Sequence, residues 1–242
     1  MKSLIIGKGQ IGSALYEILK RKHDVTIRDV EHITLHDVQF LHICYPDQTN
    51  FVEITKDYIE TYRPWVTIIH SSVKVGTTDK IGSHVVYCPI RGRHPNLELE
   101  IPMYQIFIAG RNGDNVEKVR QYLEPSFQRI HVSYDPKSLE LIKLLSNIHM
   151  GLEIAWRQEV TRLFDHFECD SLIYNRWEDS YNEGYRCTNQ ENLIRPRMQD
   201  HKIGGHCIIP CTQILNEQFP SLAFEFILRG NSKQVMKEME AV

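Results

Sequence analysis

The apolar positions of the first thirty residues follow two periods in turn. Leu4-Ile5-Ile6 is a continuous apolar run of the kind a buried strand carries, and it leads into Gly7-Lys8-Gly9-Gln10-Ile11-Gly12. Ile11, Leu15, Ile18 and Leu19 then recur at helical spacing, and Lys20–Lys22 put positive charge at the helix's C-terminal end. His23-Asp24 breaks this pattern, and Val25–Asp29 predicts a second strand that ends in an acid. Further strands are predicted over 40–46, 66–72, 84–89 and 104–109, with helical spacing over 51–62 and 115–123. Strands that alternate with helices predict a parallel sheet covered on both faces. From Ser138 the period becomes helical and stays so through Leu139, Ile142, Leu145, Ile148, Leu152, Val160 and Phe164. This predicts one helix of about thirty residues, against a usual dozen, with Gly151 bending it or admitting a close neighbour. The segment Tyr134-Asp135-Pro136 marks a boundary between a domain over 1–133 and a mainly helical domain over 134–242.

Composition narrows the function classes. With 28 basic and 31 acidic residues the net charge is −3, so there is no field of one sign to hold nucleic acid. The apolar runs are far too short to span a bilayer, which needs about 20 residues. The N-terminus does not have the form of a signal peptide. The six cysteines, Cys44, Cys88, Cys169, Cys187, Cys207 and Cys211, are too sparse for a disulfide framework and are read as thiols of a reducing cytoplasm.

The glycine loop carries the first chemistry. A G-x-G-x-x-G between a strand and a helix, with an acid at the end of the next strand, is the context a dinucleotide requires, and it makes the predicted fold α/β, a Rossmann-type doubly wound sheet. Gly7 permits the tight turn, Gly9 lets the backbone approach a pyrophosphate, and Gly12 lets the helix pack close to the strand. Gln10 and Ile11 open the helix whose N-terminus faces the phosphates. Asp29 would accept from the ribose hydroxyls, which favours NAD as cofactor, while the adjacent Arg28 leaves the 2′-phosphate of NADP open. Tyr45, Pro46 and Ser71 lie at the ends of later strands, where such sheets bind their ligands. The alternative is a glycine-rich turn with no ligand.

Three further groups of residues carry candidate chemistry. The loop Pro89–Asn96 holds Arg91, Arg93 and His94, donors suited to an anionic substrate, or else a solvated loop paired with neighbouring acids. On the long helix Lys143 and Asn147 are four apart and share a face, with Glu140 one turn earlier; alone, such a set is also the polar stripe of any solvent-facing helix. Cys207 follows Gly204-Gly205-His206 at a possible helix start, as an accessible nucleophile or a small buried hydrophobe. Cys207 and Cys211 with His201 and His206 do not have the usual spacing of zinc ligands, so no metal is expected.

Taken in order, the chain resembles the UDP-glucose/GDP-mannose 6-dehydrogenase family. The resemblance rests on Gly7–Gly12, Ser71-Ser72-Val73-x-Val75-Gly76-Thr77, Cys88-Pro89-x-Arg91, Glu140-Leu-x-Lys143-x-x-x-Asn147 and Gly204-Gly205-His206-Cys207-Ile208. The Lys-x-x-x-Asn pair is also similar to that of the wider 6-phosphogluconate and 3-hydroxyacid dehydrogenases. The family oxidises an alcohol twice with NAD⁺ and captures the aldehyde on a cysteine. The resemblance therefore implies that Lys143 and Asn147 hold the reacting oxygen and that Cys207 is the nucleophile. It makes Ser72, in place of a threonine, a catalytic candidate, and His206 a substrate contact. Two departures stand out: Ile90 occupies the place of the family's Glu, and Cys211 that of an Asp four residues after the nucleophile. The chain also ends soon after Cys207, whereas the family continues into a nucleotide-sugar-binding domain, so a shortened form is implied. The expected function is a cytoplasmic, homodimeric NAD-dependent dehydrogenase of a small, anionic or sugar-derived alcohol, paired through the long helix. The alternatives are the full four-electron nucleotide-sugar oxidation and a non-catalytic NAD-binding protein.

Overall fold

The polypeptide divides into two compact units, Met1–Leu144 and Leu145–Val242. The structure, a computed structural model, describes residues 1–240 except His32, His94 and His206, and of Glu240 the backbone alone. In the first unit β1 (Lys2–Ile6), α1 (Gln10–Leu19), β2 (Asp24–Arg28) and β3 (Phe40–Ile43) come first. They are followed by α2 (Phe51–Tyr62), β4 (Val66–Ile69), α3 (Thr77–Ile81) and β5 (Val85–Tyr87). Then come α4 (Leu97–Glu100), β6 (Ile106–Ala109), α5 (Gly113–Leu123) and β7 (Ile130–Ser133). The seven strands are ordered β2-β1-β3-β4-β5-β6-β7. All neighbours are parallel except β5 and β6, which pair antiparallel at Tyr87 and Ala109.

The central strands β1, β3, β4 and β5 are buried on both sides, which is why they read as continuous apolar runs. Ile5 and Phe40 face a core with Leu15 and Leu19 of α1 and Val119 of α5. Leu4, Ile6, Leu41 and Ile43 face the other core, with Phe51 and Tyr62 of α2 and Ile81 of α3. The chain leaves β1 toward β2 on one side and returns to β3 on the other. The strand order thus reverses between β1 and β3, and their carboxyl ends open the crevice where such sheets take ligands.

Helix α6 (Pro136–His166) has 31 residues. Its first turns belong to the sheet's unit: Leu139 packs in the core with Val73, Ile81 and Tyr87. The division therefore falls at Leu144, whereas the sheet itself ends at Ser133. In the second unit the rest of α6 is joined by α7 (Ser171–Cys187), α8 (Ile208–Gln218) and α9 (Leu222–Glu240). A Cβ at Gly151 would lie 2.7 Å from Ile208 Cγ2 and 3.2 Å from Ile227 Cδ1, so glycine there lets α8 and α9 close on α6. Among the described residues no helix is long and apolar enough to cross a membrane.

The sheet's core also buries a polar chain. His70 Nδ1 lies 2.7 Å from the Cys88 carbonyl, His42 Nδ1 lies 2.9 Å from His70 Nε2, and His42 Nε2 lies 3.1 Å from the Tyr122 hydroxyl. A carbonyl only accepts, so with both rings neutral the proton order is fixed from the Cys88 end. His70 donates to Cys88, His42 donates to His70, and Tyr122 donates to His42. Burial holds His42 well below the ordinary imidazole range and His70 at about 4. Both rings protonate near 6.5 in the unfolded chain and stay neutral in the folded one, so their contribution to stability is lost as the pH falls below 6.5. Urea unfolding is expected to show lower stability at pH 5 than at pH 7, by about 2 kcal/mol from His70, with His42 adding in the same direction. The double change His42→Gln, His70→Gln should flatten that part of the pH dependence; an unaltered slope would show that the pair is not its source.

Candidate functional site

The glycine loop is built by close approach. Gly7 has φ +102°, and a Cβ there would lie 2.9 Å from Cys44 C and Tyr45 N. At Gly12 a Cβ would lie only 1.9 Å from the Gly7 carbonyl oxygen, so α1 rests directly on the turn that precedes it. Gly9 differs: nothing lies within 4 Å of its ideal Cβ. The loop is thus sealed beneath Gly7 and Gly12 and open over Gly9, the N-cap of α1, beside the first-turn residues Gln10 and Ile11. A group approaching Gly9 meets backbone and the positive end of a ten-residue helix.

The edge of β2 settles the relation of its two charged residues. The Asp29 side chain is exposed, and its Oδ1 accepts from Lys8 N–H (3.3 Å). Arg28 is buried, at 5% exposure. Its guanidinium donates to Tyr62 Oη (2.8 Å) and Val30 O (3.2 Å) and lies 5.4 Å from the Tyr58 ring. The guanidinium is therefore part of the protein interior, and the acid is what solvent meets.

Tyr45 and Ser71 are fixed against each other. Ser71 Oγ donates to Tyr45 O (2.6 Å), and Tyr87 Oη donates to Ser71 O (3.2 Å). The Tyr45 hydroxyl is 2.6 Å from Thr55 Oγ1, and its ring packs near Phe51 and Tyr58. Pro46 is exposed and Ser72 half-buried. Arg91 is exposed, but its side chain donates to Gln105 O and lies over Phe107 (5.0 Å) and Tyr104 (5.4 Å). Arg93 is exposed, and its backbone N–H donates to Glu100 Oε2 (2.7 Å). His94 and His206 lie outside the described residues.

Glu140, which a polar-stripe reading would leave in solvent, has no exposed surface. Its carboxylate accepts from Gly76 N–H (2.5 Å), Thr78 N–H (2.8 Å) and Thr78 Oγ1 (2.6 Å). Burial raises its proton affinity, and these three donors pull against that shift. Sequence reasoning missed this role. The available signal was Gly76-Thr77-Thr78, a turn with a hydroxyl and unpaired N–H groups ahead of a short helix. One turn along α6, Lys143 Nζ donates to the Ile90 carbonyl (2.8 Å). The Ile90 side chain points into the core among Cys88, Leu97 and Ile101.

In the second unit Cys207 is exposed and is the N-cap residue of α8. Cys211 N–H donates to Cys207 O (3.0 Å), which places the two cysteines one helical turn apart. Cys211 is buried, and Asn147 Nδ2 lies 3.1 Å from its sulfur. None of the six cysteines is in a disulfide.

The mostly parallel sheet, its glycine turn and the long helix after it make this a Rossmann-type α/β fold. Comparison with known proteins is then more particular. No protein-family model matches the chain. Over 165 residues it is 24% identical to UDP-N-acetyl-D-mannosamine dehydrogenase of Methanocaldococcus jannaschii, a match that covers 65% of this chain and 36% of that protein. The match thus spans about a third of the length of that curated relative. The solved UDP-D-ManNAc dehydrogenase of Pyrococcus horikoshii superposes with a TM-score of 0.77 at 16% identity, covering 97% of this chain and 69% of the other. The 3-hydroxyisobutyrate dehydrogenase of Mycobacterium tuberculosis gives 0.69 at 11% identity, covering 96% and 92%. The resemblance to nucleotide-sugar dehydrogenases read from the motifs is thus met by sequence relatives and by fold neighbours, with a 3-hydroxyacid-type enzyme among the latter.

The two glycines make a paired test of the loop. Gly12→Ala is expected to cost about 3 kcal/mol or more, because the added methyl meets a backbone oxygen that cannot move without breaking the turn. Gly9→Ala should leave stability within about 0.5 kcal/mol of the parent. Thermal or urea unfolding of both variants would check the contrast, and equal losses would contradict the close approach at Gly12.

Proposed function

We propose that this chain is an NAD-dependent oxidoreductase that takes two electrons from an alcohol group of a small, anionic or sugar-derived substrate. The observation that carries the reading is the glycine loop, sealed under Gly12 and open over Gly9 at the start of α1. Together with relatives that are dehydrogenases by name, that cradle supports a dinucleotide. Gly9, Gln10 and Ile11 would meet the pyrophosphate, Asp29 the ribose hydroxyls, and Tyr45, Pro46 and Ser71 the far side of the crevice. Buried Arg28, committed to Tyr62 and Val30, supports NAD over NADP. When bound, the nicotinamide supplies the hydride acceptor.

The protein's own part is to hold the reacting oxygen. Lys143 would stabilise developing negative charge there, and Asn147, four residues on along α6, would donate to the same atom. Ser72 is a further hydroxyl donor. Arg93, His94 and His206 are read as substrate contacts; Arg91, already stacked and hydrogen-bonded, steadies the loop that carries them. Cys207 is the candidate nucleophile toward an aldehyde: its thiol would add across the C=O bond, the sulfur bonding to carbon as the S–H bond breaks and that proton passing to the oxygen.

Two substitutions support a single two-electron step. Ile90 and Cys211 stand where the family it resembles has carboxylates, so a thioester would lack groups to activate water. Such general-base help is typically worth about 10²–10⁴-fold. The non-catalytic reading is favoured by one contact, the Asn147 amide against Cys211. Exposed Leu163, Leu172, Ile173 and Trp177 support pairing with a second copy, and six thiols without a disulfide suit a reducing compartment.

The expected result is one NADH formed per alcohol oxidised. Lys143→Ala should lower the rate by at least about 10²-fold, and Gly9→Ala should weaken NADH binding with little loss of stability. Calorimetry should show NADH bound about tenfold or more tightly than NADPH. Activity retained in Lys143→Ala would remove the mechanism; NADH binding without turnover of any alcohol or hydroxy acid in a panel would establish the non-catalytic alternative. Sedimentation should report a dimer, weakened by Trp177→Glu.

A further inference from the structure

The last residue of β2 fastens the backbone that follows it. Arg28 Nε donates to Asp29 O (3.3 Å), Nη2 to Val30 O (3.2 Å) and Nη1 to the Tyr62 hydroxyl (2.8 Å). That hydroxyl, at the C-terminal end of α2, donates in turn to Ile33 O (3.0 Å). One planar fork and one phenol thus hold the carbonyls of Asp29, Val30 and Ile33, none of which belongs to a helix or strand. Arg28 and Tyr62 are both buried, and the Tyr58 ring stacks on Tyr62 at 6.5 Å. Among the described residues no carboxylate is hydrogen-bonded to this guanidinium; exposed Glu31 feels its charge through space. A guanidinium buried without a counter-charge is tolerated only while its hydrogen bonds are made. The pair therefore fixes the course of the backbone instead of neutralising an acid.

Two further bonds carry this to the glycine loop. Arg28 O accepts from Gly7 N–H (2.9 Å), and Asp29 Oδ1 accepts from Lys8 N–H (3.3 Å). Asp29 is thus held at both ends, its carbonyl by Arg28 and its carboxylate by the residue before Gly9. The place of that carboxylate beside the loop depends on two side chains that face away from solvent. We propose that Arg28 and Tyr62 are positioning residues for the adenosine ribose, holding the backbone after β2 so that the Asp29 carboxylate stands where the ribose hydroxyls reach it. This rests on the cofactor reading above and adds to it two residues that touch no part of the dinucleotide.

Tyr62→Phe removes the relaying hydroxyl and keeps the ring, and Asp29→Ala removes the carboxylate. NADH is titrated by fluorescence and calorimetry into the full chain carrying each change and both, with thermal unfolding to check that each variant folds. Asp29→Ala should weaken NADH about tenfold and Tyr62→Phe about fivefold. The double variant should bind as Asp29→Ala does, because the carboxylate that Tyr62 positions is already gone. A role confined to stability would leave NADH binding by folded Tyr62→Phe unchanged. An independent effect on binding would multiply the two losses to about fiftyfold. Either result overturns the proposal. Arg28→Lys keeps the charge and loses the fork; it should give the same pattern and serves if Tyr62→Phe does not fold. Unfolding of both variants would mark the pair as a requirement of the core and overturn the proposal as well. Failure of the parent to bind NADH would remove the cofactor reading and this one with it. Binding by the parent with Tyr62→Phe unaffected would remove this one alone.

Discussion

A buried carboxylate ties the start of the long helix to the sheet. Glu140 accepts three hydrogen bonds from Gly76 and Thr78 and has no contact with water. A carboxylate in that position is tolerable only because each donor is already aimed at it, and the loop's N–H groups are equally dependent on the acid. The bond network locks the rotation of α6 about its own axis at its first turns. Lys143 lies less than one turn further along, and its ammonium then reaches the Ile90 carbonyl. What looks like a polar helix face is therefore an anchor at Glu140 and a second tie to the sheet's unit at Lys143.

Two uncharged side chains beside the candidate groups are each accounted for by their own packing. Ile90 fills core space with Leu97 and Ile101 while lending only its backbone oxygen to Lys143. Cys211 is buried against Asn147, where a thiol is a weak acceptor that needs no counter-charge. Neither buried side chain carries a charge that would need solvation or a counter-ion. A carboxylate introduced at either buried position would require new donors as well as the acid itself.

Much of this was legible in the amino-acid sequence, because the strongest signals are local. The run Leu4–Ile6, the glycines after it and the helical period of Ile11–Leu19 define β1, the turn and α1 without reference to anything distant. The thirty-residue helix announced itself by sustained periodicity. Strand β7 did not, since the alternation of Ile130-His131-Val132-Ser133 runs for only four residues, too few to stand out as a strand. Helix α7 did not either: it is polar, buries Asn182 rather than an apolar stripe, and owes its start to the Asp170 cap. The partners of Arg28, Glu140 and Arg91 are 34, 62 and 14 residues away in sequence, and no spacing rule reaches that far. Sequence pattern located the candidate groups; which of them face solvent, and which serve the fold, depended on long-range contacts.

The distribution of the thiols gives the molecule a built-in reporter of its own opening. Cys44 and Cys88 belong to the sheet's unit, and burial pushes the Cys88 thiol up to about 12 and Cys44 higher still. Cys169, Cys187 and Cys207 are all at the surface of the helical unit, where Cys211 alone is buried. An alkylating reagent will therefore mark three cysteines at once, and the buried Cys88 and Cys211 only as their surroundings unfold. Because the protected thiols are divided between the units, the order in which they become reactive distinguishes melting of the sheet from melting of the helices. No label needs to be introduced to follow either event.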